Sequence, residues 1–271
     1  MCSIARLPAV LLVVTAGLGA TPSSAAPPQS DTLARARLLY SQQQYDQAIA
    51  AAEKAVRTPA LADSARLVIG RSYLERFRRT ANPPDLEAGR DALRQVQAAR
   101  LSAGDRAELL VGLGESLYLN NAFGAASEIF SSALGASTPA EVRDSALDWW
   151  ASSLDRLALT RAPDDREAVY AQIVARMEQE LERSATSTSA AYWLAAALRG
   201  VGNLERAWNA AIAGWVRALL SPVGGAALRA DLDHLVETAI IPERAREMGT
   251  DRERAVASLR AEWEGIKQNW K

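Results

Sequence analysis

Few residues in this chain could carry catalysis or bind a metal. His234 is the only histidine and Cys2 the only cysteine, and the sequence has no HExxH motif and no cysteine cluster. A zinc site needs several such ligands at set spacing, so the sequence predicts no metal site. A Ser-His-Asp triad would have to use His234, and no G-x-S-x-G elbow is present. We therefore expect a surface or half-buried His234 and no enzymatic activity.

Two other patterns resemble catalytic motifs only in part. Gly112-x-Gly114 lacks a third glycine and a preceding strand, so no dinucleotide-binding loop and no cofactor are expected. Asp164 and Asp165 lie at a predicted helix start, where the helix dipole favours carboxylates. A glycosidase using two carboxylates stays open as an alternative, although no motif indicates one. The formal net charge of −1 provides no basic surplus for nucleic acid.

The first residues predict export from the cytoplasm. Arg6 precedes an apolar run at residues 7–20, and Ser23-Ser24-Ala25 has the small residues of a cleavage site. We expect a signal peptide over residues 1–25, a periplasmic or extracellular location and no membrane span in the mature chain. The alternative is an uncleaved anchor, which is disfavoured because a span needs about 20 apolar residues. Residues 26–32 follow as a polar leader that we expect to be disordered.

From residue 33 onwards the sequence predicts helices. Hydrophobic residues make up 49% of the chain, and alanine, the best helix former, is abundant. Between Ala107 and Leu134, apolar and small residues recur every three to four positions on both sides of Asn120-Asn121. This pattern is typical of two short helices folded against each other. The sequence therefore predicts an all-α fold.

Local signals predict several helix ends. Residues 78–84 end in two prolines and are predicted not to be helical, and Asp85 is predicted to cap the helix that follows. Pro242 is predicted to begin a new helix. Capping boxes, in which a capping side chain is followed three residues later by glutamate, are predicted at Thr138 to Glu141, Asp164 to Glu167 and Thr250 to Glu253.

The series of helix pairs resembles the tetratricopeptide-repeat (TPR) proteins. The family's signature in the central pair falls on Leu110, Leu113, Gly114 and Leu117 in the first helix and on Phe123, Ala126, Phe130 and Ala133 in the second. The small positions of the first helices are Ala36, Gly70, Gly114, Ala151 and Ala195, and those of the second pair's second helix are Ala88 and Ala92. Ala36 and Gly70 are 34 residues apart, which is the family's period. The resemblance implies a right-handed superhelical solenoid over residues 33–220, with residues 221–271 as a helical C-terminal cap.

The resemblance also implies a concave groove lined by the first helix of each pair. Such a groove would bind a protein or peptide partner in the cell envelope. The implied groove residues are Arg37, Tyr40, Arg71, Leu74, Tyr118, Tyr192 and Arg199. Exposed tyrosine and arginine are common interface anchors. Arg37 and Arg71 would lie side by side as a small basic patch suited to a carboxylate.

All seven tryptophans follow position 148, and they suggest two alternatives. Trp208 and Trp215 are seven residues apart on one predicted helix face, where they could stack on the sugar rings of an envelope glycan. Trp263 and Trp270 could instead be buried between subunits. Ordinary core packing explains the same residues. The function expected first is a non-catalytic protein-interaction scaffold of the cell envelope.

Overall fold

The computed structural model describes residues 28–135, 138–221, 224–249 and 251–271, and throughout these ranges the regular structure is helical, without strands. The predicted signal peptide, residues 1–25, lies outside them. The helices are α1 (Pro28–Ser41), α2 (Tyr45–Val56), α3 (Ala62–Thr80), α4 (Pro83–Arg94), α5 (Ala103–Leu119), α6 (Phe123–Ala133), α7 (Ala140–Ala158), α8 (Pro163–Arg183), α9 (Thr188–Gly200), α10 (Leu204–Arg217), α11 (Gly225–Leu235), α12 (Ile241–Glu247) and α13 (Arg252–Asn269). The prediction of an all-α chain is confirmed for this part of the protein.

Neighbouring helices pack against each other along the whole array. Each odd-numbered helix from α1 to α9 contacts the next odd-numbered helix, which for α9 is α11. Each even-numbered helix from α2 to α10 packs between the odd-numbered helices that precede and follow it in the chain. The odd-numbered helices therefore form one continuous layer.

Small residues lie where the helices cross. Ala36, Ala151 and Ala195 are fully buried, as the predicted small positions require. A Cβ built on Gly114 would lie 2.5 Å from Cε1 of Phe130, whose ring is itself fully buried. No real side-chain carbon fits at that distance, so α5 and α6 can approach this closely only with glycine at position 114.

The small residue of α4 that packs against α3 lies one position after Ala88, the first of the two predicted small residues. Gly89, rather than Ala88 or Ala92, faces α3, and a Cβ on Gly89 would lie 2.9 Å from the side chain of Leu74. Gly70 of α3 makes the reciprocal approach to Leu93 of α4. Two glycines thus oppose two leucines across this contact.

Residues 78–84 are largely helical, which corrects the sequence prediction. Helix α3 continues to Thr80 and ends with Ala81 in the left-handed conformation, at φ 52°. Helix α4 then begins at Pro83, since a proline in the first turn has no amide hydrogen to leave unpaired. Asp85 is therefore inside the first turn, where it accepts hydrogen bonds from Arg76 Nε and Nη2 at 2.8 and 2.5 Å instead of capping the helix.

Other predicted helix ends also differ. Helix α1 begins at Pro28, so residues 28–32 are helical rather than a disordered leader. The Thr138 hydroxyl donates to the carbonyl of Ala133 and does not cap α7, and α8 starts at Pro163, one residue before the predicted cap Asp164. Thr250 lies outside the described residues, and Asp251 caps α13 by accepting from the amides of Glu253 and Arg254.

Pro242 does not begin a separate helix. Helices α11 and α12 run continuously through a π-helical segment at Val236–Ile240. Proline cannot donate an amide hydrogen, and its ring displaces the preceding turn, so the wider π turn accommodates it inside a helix. Within the described ranges, none of the helices is both long and apolar enough to cross a membrane.

We predict that Gly114→Ala lowers the free energy of unfolding by about 1–3 kcal/mol, because the added methyl group overlaps the buried Phe130 ring. Chemical denaturation measures the change. Gly124→Ala in α6 is the matched control, since a Cβ there meets nothing within 4 Å, and it should be neutral or stabilising. Equal losses in the two variants would contradict close helix approach at Gly114.

Candidate functional site

Three adjoining cavities, which together we call the groove, lie along the odd-numbered helices, and the last of them also borders the C-terminal end of α8. The N-terminal cleft, about 420 Å³, is lined by Arg37, Tyr40, Ser41, Leu67, Val68, Arg71, Gly104, Asp105, Glu108, Pro139 and Val142. The middle cleft, about 280 Å³, is lined by Tyr40, Arg71, Glu75, Glu108, Val111, Val142 and Ser145. The C-terminal cleft, about 540 Å³, includes Arg143, Asp144, Ser145, Asp148, Glu180, Arg183 and residues 186–189. Ser145 borders the last two, so the groove runs from α1 to α9.

Arg71 is a buried charge at the base of the groove. Its Nη2 donates to Glu115 Oε1 at 3.0 Å, and its Nη1 forms an ion pair with Glu108. Its guanidinium also lies 5.3 Å from the centroid of the Tyr40 ring. Arg71 and Glu115 are both buried. Arg71 thus joins α3 to α5 and contacts α1, and its charge is already compensated.

Burial shifts the acid–base behaviour of this cluster. Removal from water raises the pKa of Glu115 above its usual range, because the nearby Arg71 offsets only part of the cost of burying the carboxylate. Burial likewise raises the pKa of the Tyr40 hydroxyl. The pKa of Arg71 is raised by Glu115 and Tyr40 despite its own burial, so it stays a cation.

Arg37 and Arg71 do not form the predicted basic patch that would bind the carboxylate of a partner. Arg37 Nη2 donates to both oxygens of Asp105, at 2.8 and 2.9 Å, and the Ser64 hydroxyl donates to the same carboxylate at 2.6 Å. Since Arg71 is paired as well, each arginine already has its carboxylate within the chain. Arg37, with about half of its side chain exposed, remains at the rim of the N-terminal cleft.

Leu74 is not accessible to a partner, so its prediction as a partner-binding residue is wrong. Its side chain is fully buried and packs against the backbone of Gly89. Helix α3 is turned so that Arg71 lines the groove while Leu74 points into the contact with α4. A side chain that no solvent reaches cannot contact a partner without local unfolding.

The C-terminal cleft is lined by three carboxylates, on Asp144, Asp148 and Glu180, and by two arginines, Arg143 and Arg183. Asp144 accepts from the hydroxyls of Ser187, Thr188 and Ser189, which ties α7 to the start of α9. Asp148 accepts from Trp193 Nε1 at 2.8 Å. Partial removal from water, together with neighbouring Asp144, raises the pKa of Asp148.

The other predicted groove residues, Tyr118, Tyr192 and Arg199, line none of the three clefts. Tyr118 is half-buried, with its ring edge-on to Phe123 and Trp149 at 5.1 Å from each. Tyr192 is half-buried, and burial followed by the fields of nearby aspartates raises its pKa. Arg199 donates from Nε and Nη2 to Glu243 at 2.8 and 2.6 Å, so it fastens α9 to α12.

The tryptophans are mainly core residues. Trp208 is only 3% exposed and Trp263 is fully buried, with their ring centroids 5.8 Å apart. Trp215 packs on Trp263 as well, at 5.4 Å. A sugar-stacking platform of Trp208 and Trp215 is therefore wrong for this fold, and Trp263 is not free to pack between subunits. Trp270 remains 47% exposed.

His234 is exposed on α11, as expected for a surface histidine. Across the described ranges, the His, Cys, Asp and Glu side chains form no group of three that could hold a metal ion. The sequence reasoning missed Asp105, Glu108 and Glu115 as partners of the groove arginines. Their spacing contained a signal, because Glu108 and Glu115 are seven residues apart and so lie on one face of α5.

No protein-family model, curated protein or solved structure matches this chain.

We predict that Arg71→Met lowers the free energy of unfolding by about 3–5 kcal/mol near pH 8, because the Glu115 carboxylate is left buried without its cation. The loss should shrink as the pH falls towards 5. Glu115 has a raised pKa in the folded state, so the folded protein takes up its proton first as the pH decreases. Denaturant unfolding at several pH values measures this.

The double variant Arg71→Met/Glu115→Gln is the control, since glutamine keeps the shape of Glu115 without its charge. It should be more stable than Arg71→Met at pH 8, and most of the pH dependence should disappear. A loss in Arg71→Met that is the same at both pH values would contradict a buried, unpaired Glu115 as its cause.

Proposed function

We propose that this protein is a non-catalytic scaffold that holds an extended segment of a protein partner in the groove. The observation that carries the proposal is that the three clefts adjoin one another from α1 to α9 and share lining residues such as Val142 and Ser145. A series of adjoining clefts suits a long, narrow ligand better than a compact one. The overall arrangement we propose is a right-handed TPR-like solenoid over residues 33–220, with residues 221–271 as its cap.

The groove offers both apolar and polar contacts for such a segment. Leu67, Val68 and Val142 provide apolar surface in the N-terminal cleft, with Arg37 and Asp105 at its side. The buried ion pair of Arg71 and the close helix contacts limit the movement of the surrounding helices. A groove formed before binding loses little conformational entropy itself, so most of the ordering cost falls on the partner.

The predicted leader adds a location to this proposal. We propose that residues 1–25 direct export and that the mature protein acts in the periplasm or outside the cell. The mass of the protein recovered from the exported fraction should correspond to a chain that begins at Ala26. An intact N-terminus on the exported protein would contradict cleavage.

Site-specific photo-crosslinking tests the proposed groove. A photo-reactive amino acid at position 41 lies in the N-terminal cleft, and one at position 183 lies in the C-terminal cleft. We expect both to crosslink the same protein in an envelope extract, because an extended segment would pass both positions. Mass spectrometry of the crosslinked product identifies the partner and the attached segment.

The matched controls carry the same group at Lys54 of α2 and Glu87 of α4. Both residues are exposed, and neither lines any of the three clefts. They should give no crosslink to that partner. Crosslinking of one protein with equal yield at all four positions would place its contact elsewhere and contradict the proposal. Arg71 is unsuitable as a test position, because its replacement disturbs the fold.

A further inference from the structure

The N-terminal cleft is lined by apolar side chains from three helices. Leu67 and Val68 belong to α3 and are both buried. Val142 belongs to α7 and follows Pro139, and Tyr40 adds an aromatic ring from α1. An apolar side chain placed in this cleft would leave water and contact all three helices. Removal of apolar surface from water is the main favourable term in most protein associations.

The charges that line this cleft are balanced and paired. Among the described residues that border it, the charged ones are two arginines and two carboxylates. Arg37 Nη2 donates to both oxygens of Asp105, at 2.8 and 2.9 Å. Arg71 forms an ion pair with Glu108 and donates to the buried Glu115 at 3.0 Å. A charged side chain that entered the cleft would give up hydration for a partner that is already bound, so the cleft favours an uncharged side chain.

The size and position of the cleft also limit what can fill it. Its volume of about 420 Å³ lies near the lower end of the range of about 300–1,000 Å³ that ligand pockets have. It therefore suits one or two large side chains rather than a folded element of a partner. Four of its lining residues also border the middle cleft, and these are Tyr40, Arg71, Glu108 and Val142. A chain with one side chain in the N-terminal cleft can thus continue along the groove.

Gly104 leaves space in the cleft at the start of α5. It lines the cleft together with Pro139, and a Cβ built on it would lie 3.7 Å from Cγ of Pro139, which is an ordinary contact. Position 104 therefore accepts a side chain without a clash. A long apolar side chain there would occupy space that a ligand would otherwise use, so the cleft can be filled without altering the residues that form its apolar surface.

We infer that the segment held in the groove is anchored by an uncharged apolar side chain, leucine or phenylalanine in size, which inserts into the N-terminal cleft against Leu67, Val68 and Val142. This inference rests on the proposed function, because it names the chemistry of the partner that the groove holds. Apolar contact provides the affinity at this position, and the paired charges around it disfavour lysine, arginine, aspartate and glutamate. The partner class is thus a flexible protein segment with a large apolar residue as its anchor.

Fluorescence anisotropy with defined peptides tests the inference. The leucine probe is a labelled peptide of about twelve residues that repeats Gly-Ser-Leu-Ser, and two charged probes have lysine or glutamate in place of leucine. We expect the leucine probe to bind and each charged probe to bind at least about ten-fold more weakly, because burial of a leucine side chain is favourable and burial of a charge is not. Added salt should change the affinity of the leucine probe little, since its contact is apolar.

Gly104→Leu fills the cleft and should weaken the leucine probe by at least about five-fold. Gly124→Leu is the matched control, because Gly124 is likewise the second residue of its helix, a Cβ there meets nothing within 4 Å, and the residue lines none of the three clefts. It should bind the leucine probe as the parent does. Thermal unfolding checks the fold of each variant, and the comparison of the three probes on the parent needs no variant.

Several results would overturn the inference. Equal weakening in the two variants would place the contact outside the cleft. A charged probe that binds as tightly as the leucine probe, or no binding of the leucine probe below about 1 mM, would remove its basis. Two further results would assign the cleft to another occupant. Tighter binding of labelled dodecanoate that Gly104→Leu abolishes would indicate an acyl chain, and self-association that Gly104→Leu abolishes would indicate a second copy of this chain.

The crosslinking experiment separates this inference from the proposed function. If positions 41 and 183 capture one partner but the Gly104→Leu protein captures it equally well, the groove binds a partner and the inference of an apolar anchor is wrong. If crosslinking shows no preference for the groove, the proposed function fails, and the inference fails with it.

Discussion

The helices of this protein can pack as they do only where one member of a crossing pair lacks a bulky side chain. A Cβ on Gly200 would lie 2.4 Å from the ring of Tyr170, and one on Gly214 would lie 2.9 Å from Leu232. Tyr170 and Leu232 are themselves buried. Each glycine therefore receives a large residue of another helix, and these contacts restrict how the paired helices can rotate about their axes. That rotation decides which side chains reach the groove.

The buried pair of Arg71 and Glu115 is a consequence of this rotation and also helps to set it. An ion pair removed from water contributes little net stability, because desolvation consumes most of the attraction. Breaking it is costly, however, so conformations that separate α3 from α5 are disfavoured. We therefore expect the pair to favour one arrangement of α3 and α5 over others while adding little to the net free energy of folding. Glu108 extends the same constraint to the surface, where it borders both the N-terminal and the middle cleft.

The sequence predicts features that follow from the pattern within one helix, whereas contacts between two facing helices could not be predicted from it. The small residues at Ala36, Ala151 and Ala195 could be predicted because small residues recur at matching positions in the first helices of successive pairs. The burial of Leu74 could not, since it depends on Gly89 of the facing helix. Arg71 and Glu115 are 44 residues apart, and no local pattern pairs them. The helices α4 and α8 begin at Pro83 and Pro163, before the predicted capping aspartates, because a proline is well suited to the first turn of a helix.

Charge compensation inside the groove also bears on the proposed binding of a partner. Because Arg37 and Arg71 are paired with carboxylates of the chain, we expect neither charge sign to gain much at the N-terminal cleft and apolar contact to contribute most of the affinity there. Discrimination between partners is a difference of affinities, and an unfavourable contact contributes to it as much as a favourable one. The helix packing that places Arg37 and Arg71 at the N-terminal cleft also buries Leu74, so the small residues at the helix crossings help to determine which side chains line the groove.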